Sequence, residues 1–474
     1  MNWHEEVLKR KDHLFNDLNH LLEIESTKDI ASASDGKPMG PRVARALDFM
    51  LELSSKEGFR TTNHHGYYGY AEYGPAEAEE HIAVLGHLDV VPATGEWTSP
   101  PFEPTIRNGK LFARGAIDDK GPTMAAFYAL KLLKEMEVPM KRNVRMIFGT
   151  DEESGMSCLK KYREVESHPV AGFAPDAMFP IIHAEKGQMH VKCVLNPKTE
   201  ESDETFSPLR LLSFSAGERP NMVPETVTAM VLGDVLELEK NYRAYLKKND
   251  LRGDISTSAN GQGATLTLYG QSAHSMEPFK GINAPVALAH FLVNLSFDKR
   301  SQTYLSFIDD KFYKEHYGEK LGVHHTDEVT GPLTVNPAIF DYENQEGFVQ
   351  LNIRYPVSAE AEIIERRLAE TSEKYHFSLK ELRNKNPHHV DQHTPMIQAL
   401  QTAYQAETNL EPTLLSSGGN TYASLLPNCV AYGAVFPGKI MTAHQKDEYI
   451  EVDDLLKATA IYAHAIYLLA NMDE

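Results

Sequence analysis

Short apolar runs, each leading into residue types that bind metal ions, constrain this chain more than any other feature. The run His81–Leu85 leads into Gly86-His87-Leu88-Asp89, and Val144–Phe148 leads into Gly149-Thr150-Asp151-Glu152-Glu153. Apolar runs of this length read as buried strands. Helical patterns alternate with them, at about 41–57 and from Pro122 to Met136. Such alternation argues for an α/β layer with a mostly parallel central sheet flanked by helices. Sheets of this kind carry their sites just past the carboxyl ends of the strands. The other candidates lie in similar places: Asp118 in RGAIDDKGP, Asp176 in APDAMFP and His444 in TAHQKDE.

A chain of 474 residues is expected to form two domains. From about 186 the pattern changes to half-buried alternation, in Met189–Leu195, Ala264–Tyr269 and Phe348–Tyr355, as in antiparallel sheet. Helices are expected over 224–248, 283–295 and 358–375, with surface loops at Asn196–Ser207 and Asn249–Gly263. Residues 186–389 therefore read as a large inserted α+β domain. Residues 1–185 and 390–474 read as the metal-binding catalytic domain. Its remaining elements are an amphipathic helix near 4–24, a helix from about 394, a strand near Val430–Val435 and a final helix Val452–Asn471.

A formal net charge of -20 argues against nucleic acid and anionic membrane surfaces as partners. Three scattered cysteines, none in a C-x-x-C pair, suggest a reducing cytoplasm. The charged N-terminal segment lacks the core of a signal peptide, and no later stretch is long enough to span a bilayer. No G-x-S-x-G elbow is present, and SSGGNTYAS has no P-loop lysine.

Histidine and carboxylates without cysteine favour zinc, manganese or cobalt in a hydrolytic site. Asp89 is placed to orient the His87 ring through its second nitrogen. Asp118 and Asp119 point apart, so one of them is expected to ligate. Of Glu152 and Glu153, one can ligate while its neighbour acts as general base, although an Asp-Glu-Glu run is also an ordinary helix N-terminal turn. His274, in GQSAHSMEPFKGINA, could donate to a developing oxyanion. Arg354, at the end of FVQLNIRYP, could clamp a carboxylate, or serve as a surface ion-pair partner. Asn221 in ERPNMVPE is equally open.

Taken in order, GHLDVVP, RGAIDDKGP, GTDEESG, PDAMFP, GQSAHS, NIRYP and AHQKDEY resemble the di-zinc aminoacylase/carboxypeptidase-like metallopeptidases. Within that family the likeness is nearest to its bacterial carnosinase-like Xaa-His dipeptidases, and it runs nearly end to end. The resemblance implies two divalent metal ions, Zn2+ with Mn2+ or Co2+ as alternatives. His87, Asp118 and Asp176 would hold one, and Asp118, often followed by a cis peptide in the family, would bridge to a second shared with Glu153 and His444. Glu152 would be the general base, with Asp89 supporting His87 and His274 stabilising the oxyanion. Asn221, Arg354, Gly418, Gly419 and Thr421 would bind the substrate. The resemblance also makes the inserted domain 186–389 a lid, whose length implies a monomer. One departure stands out: relatives read Gly-Gly-Gly-Thr-Tyr, a small residue and Arg, where this chain has Asn420 for the third Gly and Ser424 for the Arg.

The expectation is hydrolysis of unblocked dipeptides. An N-acyl amino acid deacylase or desuccinylase on the same metals is the alternative, and a non-catalytic metal or peptide binder is a more remote one.

Overall fold

The computed structural model describes residues 1–197, 208–235, 237–258 and 261–473. Two compact units emerge, Met1–Glu185 with His388–Glu474, and Lys186–Pro387. His388 and His389, assigned to the insertion in sequence, pair instead with Glu185 and Ala184 as a short strand of the first unit.

The first unit is built on a nine-stranded sheet. At its centre Asn143–Gly149, His81–His87, Ala171–Ala174 and Cys429–Ala431 run parallel, in that order. Antiparallel neighbours flank this centre, with Tyr68–Tyr73 beyond one side and Ile181–Glu185 beyond the other. The His81–His87 strand is buried throughout. Its Ile82 and Val84 join one apolar cluster while Ala83 and Leu85 join another on the opposite face. A strand covered on both faces has no polar side, which is why it reads as a continuous apolar run.

Helices Lys120–Glu135 and Val452–Asn471 pack on each other and on this strand. Gly86 permits the first contact: a Cβ there would lie 2.2 Å from Thr123 Oγ1. The helix expected near 4–24 is two, Trp3–Leu8 and Lys11–Leu22, and the strand near Val430–Val435 divides at Tyr432-Gly433. No helix among the described residues is long and apolar enough to cross a membrane.

The second unit carries an eight-stranded antiparallel sheet. Its helices are Leu238–Asn249, Ala284–Leu292, Lys299–Phe312 and Ala361–Lys374. The helix expected over 224–248 is half strand. Thr226–Gly233 pairs with Leu209–Ala216 and Gly263–Tyr269, burying alternate residues. Four of its first six residues are β-branched, which suits a pleated surface. The expected loop Asn249–Gly263 contains a strand, Arg252–Thr257, whose main chain extends the sheet at its edge despite polar side chains. The expected loop Asn196–Ser207 lies outside the described residues from 198 onward.

Candidate metal centre

The parallel register sets the site. His87 lies opposite Gly149, so both strands end level and their outgoing segments run side by side. Val84 lies opposite Phe173, which brings Asp176 to the same end. Gly149 is required there, because a Cβ would lie 2.1 Å from the Tyr422 hydroxyl oxygen.

His87 is fully buried. Its Nδ1 meets the main-chain carbonyl oxygen of Asp89 at 2.9 Å, with the Asp89 carboxylate 3.6 Å away. With Nδ1 donating to a carbonyl, Nε2 is the nitrogen presented to the site. It lies 3.1 Å from Asp118 Oδ1 and 3.8 Å from Asp176 Oδ2. The other oxygen of Asp118 is 3.0 Å from His444 Nε2, which also meets Glu153 Oε2 at 2.9 Å. Asp118 thus stands between two histidines with one oxygen toward each. The peptide joining it to Asp119 is cis.

The Asp89 carboxylate has a separate task. Its two oxygens accept the backbone N–H groups of Glu152 and Glu153, each at 3.1 Å. One side chain therefore fixes the turn that carries both glutamates.

Burial pushes the Glu152 and Asp176 carboxyls well above the usual range, with Asp118 and other carboxylates adding to it. Burial and then Asp118 also raise Glu153. His444 is pushed up to about 10 by its bonds to Asp118 and Glu153. So much buried negative charge around two imidazoles calls for cations. Glu153 Oε1 is buried without a hydrogen-bond partner. The ligand atoms of His87, Glu152 and Asp176 lie within 4.8 Å of one another, as do those of His87, Asp118 and Glu153. Oxygen and imidazole donors at such spacing fit divalent zinc, manganese or cobalt.

Other buried residues beside these ligands are held by hydrogen bonds of their own. Glu448 is buried and accepts from the N–H groups of Ile117 at 2.9 Å and Asp118 at 3.2 Å, while Arg114 Nη1 holds its other oxygen at 2.6 Å. Asp119 accepts from the His87 N–H and from Thr123 Oγ1. Lys120 Nζ donates to the carbonyls of Leu21 and Ile24. Glu448 sits four residues after His444 in the same motif, and that proximity was the available signal. In the Gly-rich loop, Gly419 N–H bonds Ser417 Oγ, and Thr421 bonds Glu185 through both its N–H and its hydroxyl. Ser424 donates to the Thr421 carbonyl.

The second unit gathers the remaining candidates. Met222 and His274 form a β-bridge, and the Ser275 N–H bonds the Asn221 carbonyl at 2.9 Å. His274 Nδ1 accepts from the Met276 N–H. Arg354 is 4% exposed, and burial lowers it to about 10. Its Nε donates to Asn352 Oδ1.

Known proteins resemble this chain in sequence and fold. Residues 83–468 match peptidase family M20/M25/M40. A Bacillus subtilis protein named "Putative dipeptidase YtjP" is 44% identical over 473 residues, covering 99% of this chain and all of that one. A Staphylococcus aureus (strain USA300) relative with the same class of name is 40% identical over 470 residues, covering 98% and 99% of the two chains. The aminoacylhistidine dipeptidase of Vibrio alginolyticus shares the fold at 13% identity and a TM-score of 0.58, covering 97% of this chain and 96% of that one. The family indicated by the motifs is thus the one that matches: the chain belongs to peptidase family M20/M25/M40 and is a metallopeptidase.

Proposed function

We propose that the chain is a dipeptidase that hydrolyses unblocked dipeptides with two divalent ions. His87, Asp118 and Asp176 would hold one ion, and Asp118, Glu153 and His444 the other. The placement of Asp118, with one oxygen toward each histidine, carries this reading. The dipeptidase names of relatives at 44% and 40% identity support the substrate class. Zinc suits the donors best, with manganese and cobalt as alternatives.

When bound, the ions would polarise the scissile carbonyl and acidify water. Glu152 then takes a proton from the attacking water and hands it to the leaving amine. Burial raises its affinity for that proton, as both transfers need. Asp89 keeps Glu152 and Glu153 in place through their N–H groups. His274 would donate to the developing oxyanion, while Asn221 and Arg354 would hold the dipeptide. Gly418, Gly419 and Thr421 would contact it through the loop that Glu185 anchors. Buried, unpaired Cys158, Cys193 and Cys429 fit a reducing cytoplasm.

The test is hydrolysis of Leu-Gly, β-Ala-His, a tripeptide, N-acetyl-leucine and N-succinyl-diaminopimelate by protein reconstituted with zinc, manganese or cobalt. Free dipeptides should be cleaved fastest, and chelation should stop cleavage. Faster turnover of the acylated compounds would make the chain a deacylase instead.

A further inference from the structure

The eight-stranded sheet of the second unit has one apolar face and one polar face. Met189, Val191 and Cys193 enter the core, and the alternate residues Gln188 and His190 face the other way. Register places Arg354 opposite both Gln188 and Thr334, and Asn352 opposite both His190 and Asn336. Directly opposed residues share a face, so these side chains form two polar rows across neighbouring strands.

Thr334, Asn336, Asn352 and Arg354 are nevertheless buried. The segments around Asn221 and His274 lie over them, tied down by hydrogen bonds to main-chain carbonyls. Asn352 Nδ2 holds Pro220 at 3.0 Å, Asn336 Nδ2 holds Met222 at 2.9 Å, and Thr334 Oγ1 reaches Met276 at 3.4 Å. Asn221 therefore lies between two carbonyls, each held by a carboxamide from an adjacent strand. Its own carbonyl receives the N–H of Ser275, the residue after His274.

Asn352 differs from Asn336 in one respect. While its NH2 holds the Pro220 carbonyl, its Oδ1 accepts from Arg354 Nε at 3.0 Å. Only one orientation of the amide satisfies both contacts, because the reverse sets two donors and two acceptors against each other. Aspartate has no donor for Pro220, and leucine satisfies neither side.

We propose that Asn352 is a positioning residue that locks the Arg354 guanidinium to the Asn221–His274 segment, so that carboxylate recognition and oxyanion stabilisation are held in one fixed arrangement. This rests on the roles assigned above to Arg354 and His274. Asn352 sets the plane of the guanidinium through Nε and the height of the Asn221 loop through Pro220. Asn336 supports only the loop.

The variants Asn352→Asp, Asn336→Leu and Arg354→Met, each as full-length metal-loaded protein, separate these roles in steady-state kinetics on a free dipeptide. Asn352→Asp sets a carboxylate against Arg354 in competition with the substrate's own, so KM should rise by about tenfold or more, with a smaller fall in kcat. Asn336→Leu, which loosens the loop carrying Asn221 but leaves Arg354 held by Asn352, should lower kcat and raise KM by clearly less than Asn352→Asp does. A merely structural role would move the two asparagine variants alike, and equal proportional changes in them, or an unchanged KM in Asn352→Asp, would overturn the proposal. If Asn352→Asp does not fold, Asn352→Ser, shorter but still polar, carries the same comparison. Arg354→Met tests the underlying reading: a raised KM there with a normal KM in Asn352→Asp removes only the role of Asn352. An unchanged KM in Arg354→Met removes the carboxylate clamp, and this proposal with it.

Discussion

Glu152 and Glu153 are neighbours with the same side chain, yet their surroundings differ. Glu153 reaches His444 at 2.9 Å, whereas Glu152 shares a cluster with His87 and Asp176. Burial raises both, Glu152 the more. Glu152→Gln keeps the shape and removes the base, so kcat should fall by roughly 10²–10⁴ while bound metal, measured by elemental analysis, stays at the parent level. Turnover at the parent rate would remove Glu152 from the mechanism. Residue types at strand ends made His87, Asp118, Glu153, Asp176 and His444 readable as candidates. The role of Asp89 was less so, because its two carboxylate contacts are to backbone N–H groups more than sixty positions along the chain.

At the scale of elements, the Arg114–Glu448 pair joins the segment leading into Asp118 to the segment carrying His444. Both side chains are buried, and the pair is supplemented by two backbone N–H groups from the Asp118 loop. Removing Arg114 leaves the ionised Glu448 buried without its cation, so Arg114→Met should cost about 3–5 kcal/mol in urea unfolding above pH 7, where Glu448 has lost its proton. A loss under about 1 kcal/mol would show that the pair does not hold these segments together. No local pattern announces such a bond, since its partners lie 334 positions apart. The Thr226–Gly233 strand shows another limit of sequence reading. Val227, Val231, Val235, Leu238 and Tyr242 recur at helical spacing, and all five are buried. Over the first part of that run an alternating pattern fits equally well, and pairing on both sides decides for strand.

For the whole molecule, the concentrated charge predicts a pH-dependent stability that metal should suppress. Glu448 is raised from 4.5 to about 7 by burial and then by Asp118, and His444 from 6.5 to about 10 by its two carboxylates. Glu152 and Asp176 are raised too. In each case the folded state holds a proton that the unfolded state has released within the window between the two values. Stability of the metal-free protein should therefore fall as pH rises, first from about 4.5 to 7 through Glu448 and then toward 10 through His444. His444, half of whose side chain meets solvent, contributes the smaller part. Bound cations offset the carboxylates, so the metal-loaded midpoint should be higher and flatter across pH in thermal unfolding. A metal-free midpoint that rises with pH would contradict this charge balance.

The two histidines that flank Asp118 are 357 positions apart in the chain, at 87 and 444. Between them the ribosome must make the entire second unit before the last imidazole emerges. A chain unfinished at that point has neither His444 nor the glutamate that steadies the Asp118 loop. With the roles proposed above, the growing polypeptide would have no turnover until residue 444 is made, and a product truncated earlier would be silent rather than partly active.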